Sequence, residues 1–223
     1  MGAKPALSGL NDLKRYTMEP PLKKRIILIL AVLAIQAIYT PTSLLLKGGI
    51  VPQLAWDIFP LQTGWVIAYI ACYPLWAISL GWLVWKMDER SFRTAIAGLF
   101  FVCSVGVSIF IFFPTYVVQP ELHGTDIFSN LLRSVQVIGG DHDAFPSAHI
   151  YFTTILALFY GNWYPKRKWF WVLTVIIVSL STLLTQQHYI IDVLGGYLTA
   201  WLGYHFGLWW NTFHIHRSRT AQI

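Results

Sequence analysis

Six long stretches with almost no charged side chain dominate this sequence, at about residues 25–46, 62–85, 94–117, 145–164, 169–187 and 190–210. Each is near the ~20 residues that a helix needs to cross about 30 Å of hydrocarbon. In lipid every backbone polar group must be paired internally, and a helix does this within one segment. The pattern therefore predicts an all-α, polytopic membrane protein with six transmembrane helices. Composition agrees, because charged residues make up 12% of the chain, about half the share that an ordinary soluble domain uses to cover its surface. With 56% hydrophobic residues, disorder is excluded as well. The 11 Trp, 11 Tyr and 14 Phe suit aromatic belts at the two membrane surfaces. Cys72 and Cys103 lie inside apolar runs and read as packing residues, which excludes a disulfide framework or a cysteine zinc site.

The positions of Lys and Arg orient the spans. Lys4, Lys14, Arg15, Lys23, Lys24 and Arg25 precede the first span, and Lys86, Arg90 and Arg93 lie between the second and third. Lys166, Arg167 and Lys168 follow the fourth, and Arg217 and Arg219 stand in the tail. With six spans all of these fall on one side, and only Lys47 and Arg133 fall opposite. The positive-inside rule then puts both termini in the cytoplasm. The net charge of +6 is thus a topology signal, and no basic stripe points to nucleic acid. The expected organisation is a cytoplasmic segment at 1–24, a six-helix membrane catalytic domain at 25–210 and a cytoplasmic tail at 211–223. The polar, basic N-terminal residues do not read as a cleavable signal.

The longest outer loop, about 118–146, separates spans three and four. In it Thr125-Asp126 can cap a short helix with Ile127, Phe128, Leu131, Leu132, Val135 and Ile138 on one face and Asn130, Arg133 and Ser134 on the other. This reads as an amphipathic helix at the outer interface or as a loop helix packed on protein.

Acidic residues and histidines gather on that outer side. GGDHDAFPSAH before span four holds Asp141, His142, Asp143, Ser147 and His149, and QQHYIID between spans five and six holds His188 and Asp192. The topology delivers both histidines to the same membrane face, and an ionisable residue at membrane depth is a functional hypothesis by default. His188 and Asp192, spaced i, i+4, are expected on one helix face, where the carboxylate would fix the imidazole tautomer. The plain alternative is a buried pair that ties down a helix end. Phe145-Pro146-Ser147-Ala148-His149 has the form of a helix start, whose free N–H groups suit phosphate. Alone, it is also an ordinary capped helix.

Taken together these residues resemble the type 2 phosphatidic acid phosphatase superfamily of lipid phosphate phosphatases. The P-S-G-H motif of that family is matched by Pro146, Ser147, Ala148 and His149, and S-R-x5-H-x3-D is matched at Ser181, His188 and Asp192. Three family cations are replaced: Gln119 stands before Pro120 in place of an arginine, Phe112 in place of a lysine, and Thr182 in place of the second arginine. That pattern, with Phe113-Pro114-Thr115, is similar to the inositol phosphorylceramide synthase-like branch, which moves phosphorylated head groups between lipids. The resemblance implies that His188 attacks phosphorus and forms a phosphohistidine, with Asp192 orienting it. His149 then protonates the leaving alkoxide and later deprotonates the attacking water or alcohol. Ser147 and the amides at Ala148 would bind phosphate oxygens, with Gln119, Thr182 and Gln187 as further candidate contacts. Asp143 could shape the site, and Arg133 could supply a cation if its helix folded over it.

The resemblance implies no metal and no cofactor, a phosphorylated lipid as partner, and no nucleic acid. The expected function is hydrolysis of a phosphorylated lipid at the outer face of a membrane, with a bacterial cytoplasmic membrane as the expected location. Head-group transfer is the alternative. Two rivals follow from the residues alone. One is a divalent-metal site built from Asp141, His142, Asp143, His149, His188 and Asp192. The other is a non-catalytic membrane protein, although transporters place their charges nearer the midplane.

Overall fold

The computed structural model describes the backbone of residues 22–220 and side chains through position 212. Most of the expected N-terminal segment and the side chains of Arg217 and Arg219 lie outside the described residues. The first apolar stretch forms two helices, α1 (Leu22–Gln36) and α2 (Tyr39–Leu45), and not the single one expected. Pro41 has no N–H to offer the Ala37 carbonyl, which takes the Thr40 N–H instead at 3.2 Å. That tighter i→i+3 bond bends the chain. After an irregular segment, a 3₁₀ turn (Thr63–Trp65) leads into α3 (Val66–Lys86).

Next comes α4 (Glu89–Phe112), whose N-terminus is capped by Asp88 accepting from Ser91 N–H. It stops five residues short of the expected boundary, because Pro114 pushes Phe113 out of the helical region. In the outer loop α5 (Ile127–Gly139) forms where the sequence predicts it, with the Asp126 carboxylate accepting from Phe128 and Ser129 N–H. The rest is α6 (Ala148–Trp163), a 3₁₀ turn (Pro165–Arg167), α7 (Lys168–Leu184) and α8 (Ile190–Thr220). α8 thus carries the helix through the residues expected as a tail. Among the described residues there is no strand, and only two isolated bridges pair Ile50 with Thr115 and Tyr116 with His142.

Among the described residues four segments are long and apolar enough to cross a membrane: Leu22–Leu45, Thr63–Lys86, Glu89–Phe112 and Pro165–Leu184. The protein is an integral membrane protein on that composition. The helices at the other two expected spans, α6 and α8, are not among these four. α6 has 16 residues, about 24 Å of rise at roughly 1.5 Å each, and most of its side chains are buried against other helices. α8 packs chiefly on α4 and α6 and carries Asp192, Gly195, Gly196, Gly203 and His205. α6 is thus mostly enclosed by protein, whereas α8 packs on one side and leaves Leu194, Leu198 and Trp201 exposed on another.

The core is built from Phe92, Leu99, Val102 and Phe110 on α4, Tyr151, Ile155, Leu156 and Phe159 on α6, and Leu83 on α3. α8 reaches α4 closely because Gly207 has no side chain: a Cβ there would stand 2.3 Å from the Thr94 carbonyl oxygen. At the opposite end from the histidines, Arg25 is buried. It donates to the Val84 and Met87 carbonyls at the end of α3, pairs with Glu89 and stacks over Phe92. Carbonyls at a helix C-terminus are a favourable place for such a cation.

Candidate active site

Two short segments meet to form the site. The Ser147 N–H donates to the Asp192 carbonyl at 3.0 Å, so the start of α6 is tied directly to the first turn of α8. Gly195 and Gly196 permit the approach, since a Cβ on Gly195 would lie 2.1 Å from the Phe145 ring and one on Gly196 3.0 Å from the Ser147 carbonyl. Thr115, in the extended segment after α4, holds the incoming strand of chain: its hydroxyl accepts from Phe145 N–H and its carbonyl from Ala144 N–H.

This junction brings the His149 and His188 rings to 6.0 Å between centroids. His188 is not on a helix face, as the i, i+4 spacing suggests, but in the turn before α8, with Asp192 in the first helical turn. The pair still meets, because Asp192 reaches backward: its Oδ2 accepts from Tyr189 N–H at 2.8 Å, as the third residue of a capping box does. The same oxygen lies 3.5 Å from His188 Nδ1, an ion-pair distance somewhat longer than a hydrogen bond. Asp192 is fully buried, and His188 Nδ1 and Asp192 Oδ1 have no hydrogen-bond partner.

His149 sits in the first turn of α6, inside a cage supplied by α3. Tyr69, Tyr73 and Trp76 place their rings 4.1, 5.5 and 5.6 Å from it, and the Tyr73 hydroxyl is 3.1 Å from Nε2. Ser147 occupies the N-cap position of α6, but its hydroxyl makes no cap bond; it is fully buried and without a partner. A buried hydroxyl in that state is costly unless something fills the site.

The other expected residues divide. Gln119 and Gln187 line the polar cleft beside His188, together with Tyr39, Tyr69, Gly140 and His142. The Gln119 amide donates to the Gly140 carbonyl and that of Gln187 to the Thr185 carbonyl. Ala148 lines an adjoining groove of about 380 Å³ between α1, α3 and α6, where Leu33, Ala77, Leu80 and Phe152 surround His149 with apolar surface. Another cavity, about 220 Å³, reaches His188 from the side of Gln53, Asp57, Phe59 and Gln186. Among the described residues no Lys or Arg lines any of the three.

Arg133 lines none of these cavities, and Thr182 meets the site through its backbone, whose carbonyl accepts from the Gln187 and His188 N–H groups at 3.0 and 3.2 Å. The Thr182 hydroxyl is buried and bonded back to the Ser179 carbonyl. The Arg133 guanidinium, on exposed α5, is held by Asn130 and by the Leu122 and Gly124 carbonyls, so it ties down its own loop. Asp143 is buried beneath the loop, where it accepts from the Thr42 hydroxyl on α2. Burial pushes its carboxyl up to about 6, against the lowering effects of that hydrogen bond and of nearby His142. His142 pairs with Asp141 and reaches the Gly48 carbonyl, so it straps two loops together. Among the described residues no three His, Cys, Asp or Glu side chains converge as a metal-ligand set.

Several site residues escape a reading by motif. Tyr69, Tyr73 and Trp76 do leave a signal, an i, i+4, i+7 aromatic stripe, but core packing gives the same pattern. Asp57, which accepts from the Ile190 N–H at the start of α8 at 2.8 Å, and Thr42 leave none.

A family model described as the PAP2 superfamily matches residues 59–206, which contain both histidines and Asp192. The chain belongs to the PAP2 superfamily. No curated protein matches it. PAP2 membership supports a phosphatase-type enzyme, acting as a phosphatase or a phosphotransferase, and agrees with the apolar helices. The match is to the PAP2 superfamily as a whole and singles out no branch within it.

Proposed function

We propose that this PAP2 protein hydrolyses a phosphorylated membrane lipid through a phosphohistidine on His188. The carrying observation is the pair of imidazoles 6.0 Å apart with a buried carboxylate behind one of them. That spacing leaves room for a phosphoryl group between a nucleophile and a proton donor. His188 attacks phosphorus through its free nitrogen while Asp192 stabilises the positive charge that develops on the ring. His149 gives a proton to the departing lipid alkoxide, then takes one from the water that cleaves the P–N bond. Ser147 is the hydroxyl available to a phosphate oxygen.

The apolar groove that ends on His149 supports a lipid as the leaving group, since the chain would lie where the proton is delivered. In this reading six helices cross the membrane, both termini face the cytoplasm, and the site opens on the outer face with α5 lying at the interface. A bacterial cytoplasmic membrane is the proposed location.

One observation favours a second reading. A pocket lined by no Lys or Arg among the described residues suits a phosphodiester, which carries less charge than a monoester, and so suits head-group transfer as in inositol phosphorylceramide synthase-like enzymes. Product analysis decides between them. Purified protein is incubated with phosphatidic acid, and separately with glycerophospholipid plus an alcohol acceptor. Free phosphate from the first, absent in His188→Ala, supports hydrolysis. Head group on the acceptor supports transfer, and no His188-dependent product from either overturns both.

A further inference from the structure

The partner of His149 is as specific as that of His188, and neither the motifs nor the family match assigns it. Tyr73 projects from α3 and meets His149 Nε2 at 3.1 Å, across a sequence separation of 76 residues. With Nε2 engaged, Nδ1 is the ring nitrogen left for the reaction, and among the described residues it has no hydrogen bond. A ring that gives up and regains a proton at one nitrogen must keep its proton on the other in both states. Otherwise the proton donor would be left as an imidazolate.

We propose that Tyr73 is the positioning residue of His149: its phenolic oxygen accepts the Nε2–H throughout and so makes Nδ1 the nitrogen that carries the proton to and from the reacting phosphate. This rests on the assignment of His149 as general acid and base. In the first half-reaction the Nδ1–H bond breaks as the alkoxide O–H bond forms, and imidazolium becomes neutral imidazole. In the second, Nδ1 takes the proton of the attacking water, whose oxygen forms the new bond to phosphorus as the P–N bond to His188 breaks. Tyr73 keeps its own proton in both.

The choice of a phenol has a consequence. A neutral acceptor aligns the ring without the strong charge stabilisation that a carboxylate gives, so the imidazolium yields its proton more readily. Tyr69 and Trp76 fix the plane of the ring from the same helix. The other titratable groups facing it are His188 and, across the groove, Tyr39.

The test compares Tyr73→Phe, Tyr73→Gln and His149→Ala in the full-length protein in detergent, on a short-chain phosphatidic acid and on an activated aryl phosphate. Tyr73→Phe is expected to lower kcat on the alkyl ester about tenfold or more, within the ~10²–10⁴-fold that general acid–base catalysis contributes. KM should stay nearly unchanged, and the deficit should shrink on the aryl ester, which needs little protonation. The basic limb of its pH–rate profile should move to lower pH, because the imidazolium loses its acceptor. Tyr73→Gln, which restores an acceptor oxygen, should recover part of the loss. Wild-type kcat and pH profile in Tyr73→Phe, with His149→Ala inactive, would overturn the role of Tyr73 alone. An equal loss on both substrates with a lowered Tm would do the same, by making Tyr73 structural. Full activity in His149→Ala would instead overturn the assignment beneath it.

Discussion

The two histidines of this site differ most in what stands behind them. His188 has a fully buried carboxylate 3.5 Å from Nδ1, whereas His149 has a neutral phenol 3.1 Å from Nε2 and a wall of aromatic rings. The difference matches the two tasks proposed for them. A nucleophile that becomes a phosphoimidazolium needs its cation stabilised, and a nearby anion does that. A proton donor needs a cation that is easily discharged. On this proposal one imidazole is set by charge and the other by alignment, so that the partner decides the role more than the ring itself.

The comparison can be broken first at its charged side. His188→Ala should abolish measurable turnover on every substrate while leaving helical content and Tm near wild type, and no phosphoprotein should be trapped from labelled lipid; wild-type turnover would end the assignment. Asp192→Asn should lower kcat by roughly 10²-fold or more, as loss of an orienting carboxylate does elsewhere. The remaining amide oxygen can still accept from Tyr189 N–H, so the melting curve separates the catalytic effect from the capping one.

At the uncharged side, His149→Ala should cost about 10²-fold or more on an alkyl phosphate and much less on an activated aryl phosphate. Equal losses on both would remove the general-acid role.

Smaller effects sharpen the surroundings. The Asp143 carboxyl lies near 6 when folded, above its usual 3.8, so the folded state holds its proton longer than the unfolded one. The contribution of Asp143 to stability is therefore greatest below about pH 4, falls as pH rises toward about 6, and is flat beyond it. Asp143→Asn keeps an oxygen for Thr42, so it should remove that slope and raise Tm by a few degrees at neutral pH in thermal melts across pH. Arg133→Ala should change kcat by less than about twofold, since its guanidinium holds loop carbonyls and not the site. A tenfold loss there would show that it reaches the phosphate after all.

Much of this was legible along the chain. Membrane character followed from the length and apolarity of the runs, and the cap at Asp126 from local side-chain chemistry. The residues of the site stood out because His149 and the His188–Asp192 pair are unusual in such apolar company. Less legible were the limits of the helices, where Pro41 and Pro114 acted within otherwise apolar runs. The shortness of α6 made sense only once its side chains were seen to be buried among other helices.

The chain alone therefore gave away the class of the protein and the candidates for its reactive groups, because those depend on composition and on spacings of a few residues. The partners of those groups came only from the tertiary structure. Tyr73 meets His149, Asp57 meets the start of α8, and Thr42 meets Asp143 across long separations that no local period records. Local bonds also matter: the Arg133 guanidinium is held by the Leu122 and Gly124 carbonyls of its own loop, and the Thr182 hydroxyl by the Ser179 carbonyl one turn back on its helix. The junction that brings the two histidines together exists because Gly195 and Gly196 on α8 let the start of α6 come close, and close packing of that kind is a property of the assembled helices.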